Sequence, residues 1–135
     1  MKSFINIILC ICILFSYSIR SEDIPYLLTA SSKGDIESVK AIIESGGNPN
    51  TEDGNKVTAL MYASRKNQVE VARYLISKGA EVNKQEIDGW TALMYASKNN
   101  YTDMVALLIS NNADLKVTDS DGWTAYGLAA TSGNH

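Results

Sequence analysis

Thr58, Thr91 and Thr124 stand 33 residues apart, and so do Ala63, Ala96 and Ala129. A chain that repeats itself at this period folds as serial copies of one supersecondary unit, and that constrains its architecture more than any other feature of the sequence. The heptapeptide Thr58-Ala59-Leu60-Met61-Tyr62-Ala63-Ser64 recurs unchanged as Thr91 to Ser97. Leu27, Leu60 and Leu93 share the register, Ala30 extends the alanine column backwards, and Glu37, Glu70 and Asp103 form an acidic column.

Each unit reads as two short helices followed by a projecting turn. In the second unit the first helix is expected from about Thr58 to Lys66. Asn67 follows it, where Gly34, Asn100 and Gly133 stand in the other units; these residue types accept a left-handed helix end. The second helix is expected over about Val69 to Lys78, with its acid in the first turn, where the helix dipole favours negative charge, and a stop near Gly79. Asp88-Gly89 and Asp121-Gly122 then mark tight hairpin turns, an Asp before Gly being suited to them. Helical spacing places Leu60, Ala63 and Ser64 on one face and Tyr62, Arg65 and Lys66 on another. Met104 to Ile109 is apolar on almost every side, as a helix between two neighbours requires. One unit alone cannot bury such a surface, so stability is shared between units and their interfaces.

The period, the order of elements and the Thr-x-Leu-x-x-Ala signature together resemble the ankyrin repeat. The form resembled is the short, exported, bacterial type. The resemblance spans about residues 22 to 135 and implies an all-α solenoid of about 3.5 helix-turn-helix units with projecting β-hairpin loops. The units fall at about 22–52, 53–85, 86–118 and an incomplete 119–135. Two departures stand out: Ala59, Ala92 and Ala125 occupy the family's proline position, and Met61, Met94 and Gly127 its histidine position. That histidine ties neighbouring units by hydrogen bonds in the family, so here the ties are expected from packing. The fourth unit stops after its first helix, which leaves one side of Met104 to Ile109 uncovered. A frayed end, cover by a partner or a second copy, and a shortened gene product all account for that.

The first 18 residues are expected to be removed. Phe4 to Phe15 holds apolar residues broken only by Asn6, follows Lys2 and leads into Ser16-Tyr17-Ser18, the pattern of a secretory signal cut ahead of Ile19 or after Ser21. Such a run is too short for the roughly 20 helical residues that cross a bilayer, so no membrane association is expected after cleavage. Cys10 and Cys12 both lie inside it, so the domain at 19–135 folds without disulfides or a thiol nucleophile. The expected site of action is periplasmic or secreted.

The 135 residues carry 12 Lys+Arg and 15 Asp+Glu, a formal charge of -3, which provides no overall positive field for nucleic acid. With one His, at position 135, the exported chain lacks the residues of a nucleophilic triad or a zinc site, and no cofactor or metal is expected. An enzyme using Asp88 and Asp121 as acid and base is the rival reading. Asp119-Ser120-Asp121-Gly122 opens like a calcium loop but lacks the ligands that should follow. What folding leaves unexplained is a repeated edge. Lys33, Lys66, Arg65 and Lys98 end the first helices, Tyr62 and Tyr95 lie one turn earlier, and Trp90 and Trp123 follow the Asp-Gly turns. In ankyrin repeats the hairpin tips and the concave first-helix face make the partner contacts. The resemblance therefore implies a non-catalytic protein-binding module that uses these eight residues, with an acidic partner preferred. The alternative is an accessory or inhibitor protein that completes its open C-terminal unit on a target.

Overall fold

A computed structural model of the chain describes residues 24–132. The expected leader, Gly133 and His135 lie outside the described residues. Within them seven helices follow in order: α1 (Tyr26–Lys33), α2 (Ile36–Glu44), α3 (Ala59–Arg65), α4 (Val69–Ser77), α5 (Ala92–Lys98), α6 (Thr102–Ser110) and α7 (Ala125–Thr131). α1, α3, α5 and α7 pack in series as one row, and α2, α4 and α6 form a second row against it. The chain is thus an all-α solenoid with the unit order that the 33-residue period dictates.

The repeated residues explain the element boundaries. Each threonine of the period starts a first helix: the hydroxyls of Thr58, Thr91 and Thr124 accept the N–H of Met61 (3.3 Å), Met94 (3.3 Å) and Gly127 (3.2 Å). This satisfies one of the donors a helix start leaves open. Gly34, Asn67 and Asn100 take left-handed φ of 75°, 58° and 58°. That geometry turns the next N–H back on the alanine column, so Asp35, Gln68 and Tyr101 donate to the carbonyls of Ala30, Ala63 and Ala96. Ala63 and Ala96 are fully buried where adjacent first helices meet, and a larger side chain there would force the row apart. Leu28, Leu60, Met61, Leu75, Met94, Met104 and Leu108 complete the core between the rows.

The units are not tied by packing alone. Asn50 and Asn83, one period apart, each reach into the following unit. Their side-chain N–H groups donate to the carbonyls of Gly79 and Asn112 (both 3.1 Å), and their oxygens accept from the N–H of Glu81 and Asp114 (both 2.7 Å). Gln68 adds a bond to the Ser32 carbonyl at 3.0 Å. An amide side chain carries both a donor and an acceptor, so one residue satisfies two backbone groups that stacking removes from water. The hairpins also differ from the expected β form. Among the described residues only Glu52 and Thr58 form an antiparallel bridge, and the loops are otherwise tight turns without strands. Successive turns join edge to edge, Ile87 N–H donating to Asn55 and Ser120 N–H to Asp88 (3.0 and 2.9 Å).

Candidate functional site

Three carboxylates one period apart organise the turns. Asp53 accepts the N–H groups of Asn55 and Val57 (2.8 and 3.0 Å), Glu86 those of Asp88 and Trp90 (2.7 and 2.9 Å), and Asp119 those of Asp121 and Trp123 (2.9 and 2.8 Å). The acids that close the turns therefore stand two residues before the Asp-Gly dipeptides. Asp88 and Asp121 contribute backbone, and both side chains are exposed. Gly89 and Gly122 do take the positive φ that the turn needs, at 83° and 84°. At Gly89 an added Cβ would also lie 3.0 Å from the Asp119 Cα, so the next turn packs directly on it.

The second oxygen of two of these carboxylates faces the first helices. Tyr62 donates its hydroxyl to Asp53 Oδ2 at 2.6 Å, and Tyr95 donates to Glu86 Oε2 at 3.4 Å. The Arg65 guanidinium lies over both rings, 4.8 Å from the Tyr62 centroid and 5.9 Å from that of Tyr95. Trp90 packs on Tyr95 with ring centroids 5.0 Å apart and planes at 53°. Of the residues singled out from sequence, Tyr62, Arg65, Tyr95 and Trp90 thus meet in one cluster. Trp90 is half-buried within it and is not a free tip. Lys33 and Lys66 stand exposed at the ends of α1 and α3, and Lys98 donates to the Thr131 hydroxyl at 3.3 Å.

Trp123 behaves differently from Trp90, because Leu128 stands in the tyrosine column of the last unit and offers no phenol to stack on. Its ring lies over α7 instead, where a Cβ on Gly127 would fall 2.8 Å from the indole Cε3. Glycine at a position held by methionine in the two preceding units makes room for that ring. Trp123 remains 45% exposed.

Charge and burial set the protonation of the cluster. Desolvation pushes the Asp53 carboxyl up, but hydrogen bonds from Tyr62, Val57 and Asn55, with the Arg65 charge, hold it below its ordinary value. Burial pushes the Tyr95 phenol up to about 12, and the Glu86 charge adds to that, while Arg65 opposes it. Burial and the bond to Asp53 raise Tyr62 as well. A folded value raised above the unfolded one means stability that is present below the unfolded value, 10.0, and lost as pH climbs toward about 12. Alkaline titration followed by tyrosinate absorbance should therefore show a late ionisation near about 12, and Tyr95→Phe should reduce its amplitude by one phenol. A Tyr95 phenol that ionises near its ordinary value of 10.0 would contradict the cluster.

The turn-closing role of Asp53, Glu86 and Asp119 is not part of the sequence reading, which takes Asp119 only as the opening of a calcium-like loop, although their 33-residue spacing is the available signal. All three fix the turns, Asp53 and Glu86 also hold the tyrosines, and the Arg65 guanidinium is the cation over those rings. Among the described residues no group of three or more His, Cys, Asp or Glu is placed to hold a metal ion, and no helix is long and apolar enough to cross a membrane.

No curated protein matches the chain. The family described as ankyrin repeats (3 copies) matches residues 9–86, 27–119 and 79–135. Together with the stacked helix pairs, threonine caps and joined turns, these matches show that the chain belongs to the ankyrin-repeat family, whose repeats form protein–protein interaction modules.

Proposed function

We propose that the chain is a non-catalytic binding module of the exported bacterial type, which acts outside the cytoplasm and takes an acidic segment of a partner protein on its first-helix face. Trp90, Trp123, Tyr62, Tyr95, Arg65, Lys66, Lys98 and Lys33 are its contact residues. The observation that carries this reading is the fixed position of Arg65 between two tyrosines whose hydroxyls are held by Asp53 and Glu86. Aromatic and arginine side chains held in one geometry lose little freedom on binding, and these residue types dominate interface hot spots. Asp53 and Glu86 are engaged in the turns, and the attraction for an acidic segment comes from Arg65 and the exposed Lys33, Lys66 and Lys98. The reading includes no cofactor and no nucleic acid, and export rests on the apolar run Phe4 to Phe15.

The test is capture from the exported fraction by the wild-type chain, followed by affinity measurement on the partner identified. Arg65→Glu with Lys98→Glu should weaken that partner about tenfold or more, equivalent to at least about 1.4 kcal/mol, while the melting temperature stays within a few degrees. Unchanged affinity in the double variant would remove this face from the interaction. Mass spectrometry of the exported chain should find a new N-terminus at Ile19 or Glu22.

A further inference from the structure

Arg65 and Lys98 stand one period apart on α3 and α5, and both lean across the boundary to the next unit. The Arg65 guanidinium reaches the Tyr95 ring of α5, and the Lys98 ammonium reaches the Thr131 hydroxyl of α7 at 3.3 Å. Their charges are therefore set one unit step apart. That step is short, because α3, α5 and α7 pack in direct succession with buried alanines between them. Helices that pack directly have axes about 8 to 10 Å apart. Lys33 and Lys66 form a second pair at the same period, at the ends of α1 and α3. None of α1, α3, α5 and α7 contains an aspartate or a glutamate.

This step selects the conformation of what can pair with it. In an extended strand, side chains two residues apart are separated by about 7 Å, and those three residues apart point to opposite faces. A seven-residue α-helical repeat spans about 10.5 Å and overshoots the step. A polyproline II helix has three residues per turn and a rise of about 3.1 Å, so every third side chain returns to one face after about 9 Å. Resting on the docking reading above, we infer that the acidic segment binds as a polyproline II helix laid along the first-helix row, with an aspartate or glutamate at every third position, one meeting Arg65 and the next Lys98. The half-buried Tyr62, Trp90 and Tyr95 supply aromatic surface beside Arg65, the kind of surface on which such segments pack. A backbone already extended loses little freedom on docking. Lys66 adds attraction at the end of α3. Lys33 has the exposed Asp35 within reach of its charge, so a third acid there adds less. The exposed Asp88, whose charge reaches Tyr95, keeps the segment on the lysine side of the row, away from the turns.

The probes are synthetic proline-rich peptides of equal length, composition and charge, one with glutamate at every third position and one with glutamate at every second, titrated into the full chain by NMR at low salt. The first should bind about fivefold or more tighter than the second, with shifts centred on Tyr62, Arg65, Tyr95 and Lys98. Lys98→Ala, at an exposed position and so compatible with folding, should remove most of that preference. Equal affinity for the two spacings, with shifts still on this face, would overturn the register and leave the docking reading standing. Tighter binding of a helical peptide with glutamate at every seventh position would do the same. If none of the three peptides moved those four residues at millimolar concentration, the inference and the docking reading would both fall.

Discussion

Leu60→Ala should destabilise the protein by about 2 to 5 kcal/mol, the range for deleting a buried leucine from a packed core. Leu60 is 1% exposed and sits on α3, which packs against α1, α4 and α5. The lost transfer free energy is therefore joined by a cavity among three neighbours whose own positions are fixed by backbone hydrogen bonds, so little collapse can fill it. Because each unit depends on the next for cover, the damage should spread: the urea midpoint should fall for signals from α1 to α5 together. A loss below about 1 kcal/mol, or unfolding confined to one unit, would show that the rows are not interlocked as described.

Glu86→Ala should cost about 2 to 3 kcal/mol although no apolar core is disturbed. Its carboxylate accepts from the amides of Asp88 and Trp90 and from the Tyr95 hydroxyl, and alanine leaves these donors without partners in a half-buried turn. Glu86→Gln keeps an oxygen for the two amides and should recover much of the loss, whereas Asp88→Asn, at an exposed side chain, should be close to neutral. The ranking discriminates between Asp88, the acid that the Asp-Gly pattern suggests for the turn, and Glu86, the acid whose carboxylate accepts the turn amides. If Asp88→Asn proved the more damaging change, the turn would be held in another way.

Helix limits and order were legible because they depend on local chemistry repeated in register. Gly34, Asn67 and Asn100 mark left-handed ends, and the alanine column marks close approach, whichever unit they stand in. Contacts between units were harder to read. Asn50 and Asn83 bond to backbone about 30 positions away, and the sequence offers only their shared spacing as a sign. The turn acids were hidden because the column alternates Asp, Glu and Asp, while the neighbouring Asp-Gly dipeptides carry the more familiar turn pattern. Trp90 and Trp123 look equivalent by position, yet the replacement of a tyrosine by Leu128 and of a methionine by Gly127 sends the two indoles to different places. Part of the proposed docking face was thus visible as residue types, and its rigidity was not.

Amide hydrogen exchange at Glu81, Ile87, Asp114 and Ser120 tests the central claim most directly. All four N–H groups lie in loops, and each is bonded across a boundary between units: to Asn50, Asn55, Asn83 and Asp88 respectively. Serial units locked together by these bonds predict that the four amides exchange only with the slow opening of the stack, at protection comparable to the adjoining helices. Exchange at the rate of an open loop, with the helices still protected, would mean that the units are merely strung side by side and that the face they share is not held in place.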